Sequence, residues 1–253
     1  QGLGGKLVIL VIGDSCTDVY HYGYTKRLAP EGPVPVFHIS KTVKNGGMAK
    51  NVCENIQSLG AECELVTNTC DVTKTRYVDD RHNHLLLRVD SHERKVERVQ
   101  DLWSIDFSKY ESIVISDYDH GFLTESDIEF IASECSGTTF LDTKKKLGSW
   151  CKQIDYIKIN EFEFENTKHT IDPDIKDKLI VTLSKDGCSF RGKTYGVKEV
   201  EVKDMTGAGD TFLASLVVSM HEGKTIEKSI EVANKNATII VQQKGVAKIG
   251  DHI

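Results

Sequence analysis

Asp204-Met205-Thr206-Gly207-Ala208-Gly209-Asp210-Thr211-Phe212, followed by an apolar run over residues 213–220, is the stretch on which the reading of this chain turns. Two glycines and an alanine leave backbone N–H groups uncovered where a helix should begin. An Asp falls in its first turn. Such a helix entry can hold a phosphoryl group against the positive end of the helix dipole. The neighbouring carboxylate can take a proton from a hydroxyl that attacks phosphorus. A plainer reading is a flexible turn opening a buried helix, with Asp210 serving only as an N-terminal charge partner. Other phosphate loops fit less well. A dinucleotide fingerprint needs three spaced glycines after the first strand, and Ile12-Gly13-Asp14 does not supply them.

The rest of the chain supplies a parallel sheet for that helix. Residues 7–12 form an unbroken apolar run, as expected of a strand buried on both faces. Residues 51–60 carry helical spacing with a Gly stop, and a helix is expected over 125–135. Short strands are expected at residues 63–67, 112–116, 138–142, 156–160 and 179–183, each with a polar residue downstream. Ligands of such sheets bind beyond the C-terminal strand ends, where Asp14, Asp117, Asp142, Asn160 and Ser184 would form one rim. Two segments break the alternation. Residues 18–40 hold Tyr20, Tyr22, Tyr24 and three prolines, and residues 74–99 alternate charged and apolar side chains. They suit a small antiparallel sheet projecting from the body.

Composition bounds the function. With 38 acidic and 32 basic residues the formal net charge is −6, which argues against a nucleic-acid partner. No apolar run approaches the ~20 residues of a membrane span, and no signal peptide is visible. The seven cysteines form no Cys-x-x-Cys pair and read as reduced thiols of a cytoplasmic protein. The leading Gln1-Gly-Leu-Gly-Gly5 is set aside as a tag remnant.

Asp204-x-Thr206-Gly207-Ala208-Gly209-Asp210 resembles the C-terminal signature of the ribokinase-like (PfkB-type) carbohydrate kinases, and Gly46-Gly47 with Asn51 resembles their sugar-binding signature. The stretch from Arg27 through Pro30, Pro33 and Pro35 to Val36 is most similar to the heptose 7-phosphate kinase half of the bifunctional ADP-heptose synthases. So are Lys74-Thr-Arg76, the stretch from Leu85 to Asp90, and Ser116-Asp117-Tyr118. The resemblance implies one ribokinase-like domain over residues 1–253, an α/β three-layer αβα fold with a mainly parallel sheet. Lid segments would lie at about 16–40 and 74–100, closing over the sugar and pairing two subunits. It implies ATP and Mg²⁺, with transfer of the γ-phosphoryl group to a sugar hydroxyl. Asp210 is then the base, and Gly207, Ala208 and Gly209 with it form the anion hole. Asp14, Asp18, Gly46, Gly47, Asn51 and Arg88 would bind the sugar or sugar phosphate, with Arg76 a further phosphate contact. Ser184, Gly187, Thr206, Asn236 and Gly245 would line the nucleotide site. Asn160 and Glu163 would hold Mg²⁺, with Glu161 and Glu165 as competitors and an acidic helix start as the alternative.

Between residues 65 and 74 the chain has no room for the further helix and strand of that family. A flanking unit of the sheet should be missing. The acceptor stays open among a D-glycero-D-manno-heptose 7-phosphate-like compound, a fructose- or ribose-type sugar, and a weakly catalytic sugar- or nucleotide-binding role. No His-x-Gly-His element occurs, so adenylyl transfer is not expected.

Overall fold

The computed structural model describes residues 8–91 and 96–253. The Gln1–Gly5 reading, the Leu7 start of the first strand and residues 92–95 of the second lid segment lie outside the described residues. The chain runs β1 (Val8–Gly13), β2 (Ser15–Leu28), β3 (Pro35–Met48), α1 (Ala49–Ser58), β4 (Glu62–Val66), β5 (Thr73–Asp79) and β6 (Leu85–Ser91). It continues with β7 (Ser112–Asp117), α2 (Glu125–Glu134), β8 (Thr138–Thr143), β9 (Tyr156–Asn160), α3 (Glu161–Thr167) and α4 (Pro173–Lys176). Then follow β10 (Leu179–Thr182), β11 (Cys188–Phe190), β12 (Lys193–Tyr195), α5 (Ala208–His221) and α6 (Ile226–Ile240).

Eight strands form the main sheet in the order β12-β11-β10-β9-β8-β7-β1-β4. Its pairs are parallel except around β11, which runs antiparallel to both neighbours. Side chains alternate across it, so each strand feeds two cores. Leu10, Ile12, Ile113, Ile115, Leu141 and Ile157 pack on the side of α2. Ile9, Val11, Val114, Phe140 and Ile180 meet α1, α5 and α6 on the other. The fold is the expected ribokinase-like α/β layering. Helix α5 is buried from Asp210 through Ser219, which explains why its sequence is apolar without a polar stripe. Among the described residues no helix is long and apolar enough to cross a membrane.

The second sheet has the order β3-β2-β5-β6. Its outer pairs are antiparallel, but β2 and β5 run parallel, so the expectation of an antiparallel sheet is corrected. The reason is topological: β2 follows β1 and β5 follows β4, two parallel strands that deliver the chain to the same end of the body. The first lid segment is also longer than 16–40, since β3 runs on to Met48. Gly46 and Gly47 therefore sit inside a strand, opposite Thr17 and Cys16. Between Val66 and Thr73 there is no helix or strand, and β4 is the outermost strand of the main sheet.

Candidate active site

Gly207 precedes α5 with φ 80°, in the left-handed region where a side chain is strained, and gives the helix no side-chain cap. A Cβ there would stand 2.9 Å from Asn51 Nδ2. Of the first amides of α5, that of Ala208 donates to Met205 O at 3.3 Å, while those of Gly209 and Asp210 have no acceptor among the described residues. Asp210 is the third residue of this helix and only 6% exposed. Asn51 Nδ2 of α1 donates to its Oδ2 at 2.8 Å, and Tyr118 Oη, just beyond β7, donates to its Oδ1 at 2.9 Å. Burial pushes the Asp210 carboxyl up to about 6; Asp142 adds to that, while Asn51, Lys158 and Tyr118 oppose it. Such a carboxylate is charged at neutral pH and still basic enough to accept a proton.

In the second sheet, Asp18 is buried and paired with Arg76, and a Cβ on Gly47 would lie 2.3 Å from its Oδ2. Gly47 is the space in which that carboxylate sits. A Cβ on Gly46 would strike the Lys50 side chain. Arg88 grips Asp90 with both arms, at 2.8 and 2.7 Å, and lies opposite Arg76 in the β5–β6 ladder. Alternation places Asp18, Lys74, Arg76, Arg88 and Asp90 on one face of the lid. Asp14 and Asn51, expected on the sugar, both have partners within the chain. Asp14 is wholly buried, and its oxygens accept from the N–H groups of Tyr118 and His120 at 2.9 and 3.0 Å. It fixes the loop that carries Tyr118. Asn51 gives its amide to Asp210 and its Oδ1 to Asn55, so it positions the Asp210 carboxylate.

Among the residues expected to line a nucleotide site, Thr206 and Gly245 are tied together by Asp204, which accepts from Thr206 N at 2.8 Å and from Gly245 N at 3.1 Å. Ser184 opens a tight turn that ends at Gly187, packed against the end of β12. Beside it, Tyr195, Gly196, Val197, Asn234 and Thr238 line a groove of about 450 Å³. Asn236 is not part of it: it is buried and donates to Ser215 Oγ at 3.0 Å, joining α6 to α5. Asn234 and Thr238, four apart, share the face that Asn236 cannot reach. Gly187-Cys-Ser-Phe-Arg-Gly192-Lys193-Thr194 has P-loop spacing, a match that sequence reasoning overlooked. It is a hairpin instead, with Phe190 opposite Lys193 and both Arg191 and Gly192 at positive φ.

Asn160 and Glu163 do come together, but on each other. Asn160 Oδ1 accepts from Glu163 N at 2.8 Å, and Glu163 accepts from Asn160 N at 2.8 Å and Asn160 Nδ2 at 2.9 Å. Lys144 completes the set as an ion pair with Glu163. These side chains are spent on the start of α3, a capping box, and do not fit a magnesium ligand pair. Among the described residues no group of three or more His, Cys, Asp or Glu could hold a metal.

Sequence reasoning gave Tyr118 and Asp142 no catalytic part and did not single out Lys144 or Lys158. Lys144 Nζ lies 5.2 Å above the Tyr118 ring, and Lys158 Nζ bonds Asp142 Oδ2 at 2.7 Å. A lysine set inside a buried strand was the available signal for Lys158.

The description "pfkB family carbohydrate kinase" matches residues 124–251. "Bifunctional protein HldE" of Helicobacter acinonychis is 29% identical over 296 residues, covering 94% of this chain. The chain spans only 64% of that relative's length. The crystal structure of ribokinase from Thermotoga maritima superposes with a TM-score of 0.70 at 16% identity, covering 95% of this chain and 94% of the other. Arabidopsis thaliana ribokinase complexed with ribose and ATP gives 0.66 at 16% identity, covering 97% and 95%.

Proposed function

Because the chain belongs to the pfkB family of carbohydrate kinases, we propose that it transfers the γ-phosphoryl group of ATP to a hydroxyl of a heptose 7-phosphate-like sugar phosphate. The observation that carries the reading is Asp210, a buried carboxylate in the first turn of an uncapped helix, held by Asn51 and Tyr118. The amides of residues 207–210 bind the phosphoryl group as its charge develops, and Asp210 takes the acceptor's proton. An ordinary carboxyl has a pKa of ~3.9, far below an alcohol, so the proton moves late in the attack. The higher proton affinity of Asp210, about 6, narrows that gap.

The adenine enters the groove lined by Tyr195, Gly196, Val197, Asn234 and Thr238, next to the Gly187 turn. The acceptor lies between Asp210 and the lid face that carries Asp18. Lys74, Arg76 and Arg88 on the charged lid face favour an acceptor that brings its own phosphate, since guanidinium pairs suit that dianion. Likeness to the HldE protein supports the same acceptor class. Leu85, Leu86, Leu87, Val89 and Ile39 leave exposed apolar surface on the lid, which a second copy would cover in a homodimer. The seven free cysteines suit the reducing cytoplasm.

An ATP-consumption screen against free and phosphorylated sugars tests the reading. Turnover with a sugar 7-phosphate and not with free ribose or fructose is expected. Preference for a free sugar would overturn the acceptor class, and silence on every acceptor would overturn the kinase reading.

A further inference from the structure

Lys158 carries an inference that rests on the kinase reading. Alternation along β9 sends Ile157 and Ile159 into the core on the α2 side, so Lys158 points to the face that α5 covers. Its register partner is Asp142 of β8, whose partner on β7 is Ser116. The three make a polar row across the C-terminal ends of adjacent strands, beneath the entry to α5. Lys158 and Asp142 are 5% and 4% exposed, and Lys158 Nζ donates to Asp142 Oδ2 at 2.7 Å. On its other side the ammonium lies against Gly209, where an added Cβ would stand 3.0 Å from the nitrogen. Gly209 is thus the space through which a fixed positive charge reaches the anion hole.

A buried ion pair adds little stability over apolar packing, so its presence asks for another cause. The surroundings supply one. Asp142 Oδ1, Ser116 Oγ and Thr211 Oγ1 are buried without a hydrogen-bond partner among the described residues. The row therefore keeps polar capacity that the folded chain does not use. An ammonium has three donors, of which Asp142 takes one.

We propose that Lys158 is a catalytic residue: its ammonium binds an oxygen of the phosphoryl group in transit, beside the amides of residues 207–210, and Asp142 holds it there. The bond from the acceptor oxygen to phosphorus forms while the bond from phosphorus to the departing ADP oxygen breaks. The acceptor's proton goes to Asp210, and Lys158 keeps its own protons throughout.

Lys158→Met, Lys158→Arg and Asp142→Asn test this beside Asp210→Asn. Lys158→Met should lower kcat by about 10²–10³-fold, the loss expected for one charge-stabilising donor, with the KM for the sugar little changed. Lys158→Arg should recover part of that loss. Wild-type kcat in Lys158→Met, or a loss confined to KM, would overturn the inference. Should Lys158→Met not fold, Asp142→Asn decides: a lowered kcat supports the role and an unchanged one overturns it. If Asp210→Asn is inactive while Lys158→Met turns over normally, only this inference fails. If Asp210→Asn is fully active, the base assignment fails whatever Lys158 does.

Discussion

Helices α3 and α5 begin at the same rim, and each carries an acid as its third residue, Glu163 in one and Asp210 in the other. At α3 the preceding residue is Asn160, which exchanges hydrogen bonds with Glu163, so the helix start closes on itself. At α5 the preceding residue is Gly207, which has no side chain to exchange. The amides of Gly209 and Asp210 stay without an acceptor among the described residues, and the Asp210 carboxylate turns to Asn51 and Tyr118 instead. An acid at the same helical position thus closes its own helix start in one place and, in the proposed reaction, serves as the base in the other. The residue before the helix decides which.

Substitutions that exchange these two states break the comparison in graded ways. The largest effect is expected for Asp210→Asn, which should lose about 10²–10⁴-fold in kcat while ATP still binds, measured by steady-state kinetics and calorimetry. Gly207→Ser gives α5 the kind of cap that α3 has, and also puts a Cβ against Asn51 at a left-handed φ. About 10²-fold lower turnover is expected, with weaker ATP binding in the same calorimetric titration. Glu163→Gln sits at the smaller end. Removal of the α3 capping charge should cost at most ~0.5–2 kcal/mol by chemical denaturation, and leave the magnesium dependence of turnover unaltered.

A last effect concerns stability alone. Burial raises the Asp210 carboxyl to about 6, above its ordinary 3.8, so ionising it costs the folded state as pH climbs through that interval. Asp210→Asn should therefore stabilise the protein at pH 8 by on the order of 1–3 kcal/mol, and the gain should vanish near pH 4. Denaturant midpoints at the two pH values measure it.

The elements of this fold were largely legible because the signals are local. The apolar run of β1, the helical spacing of α1 and the Gly-Ala-Gly-Asp entry to α5 each announce themselves within a few residues. The rim was legible too, since polar residues follow buried strands. What each rim residue does was not. Asp14 meets a loop 104 residues away and Asn51 meets Asp210 159 residues away, so their partners depend on the assembled sheet. That Asn236 turns to Ser215 was hidden for a related reason, because which α6 face meets α5 is set by packing. Lys158 stayed hidden because its register partner, Asp142, lies on a separate strand.

The pH dependence of kcat in the wild type, set against the residual rate of Asp210→Asn, tests the central claim most directly. The account predicts an acidic limb near pH 6 in the wild type, with activity rising as Asp210 loses its proton, and no such limb in the variant. The same limb in both proteins would mean that another group accepts the proton.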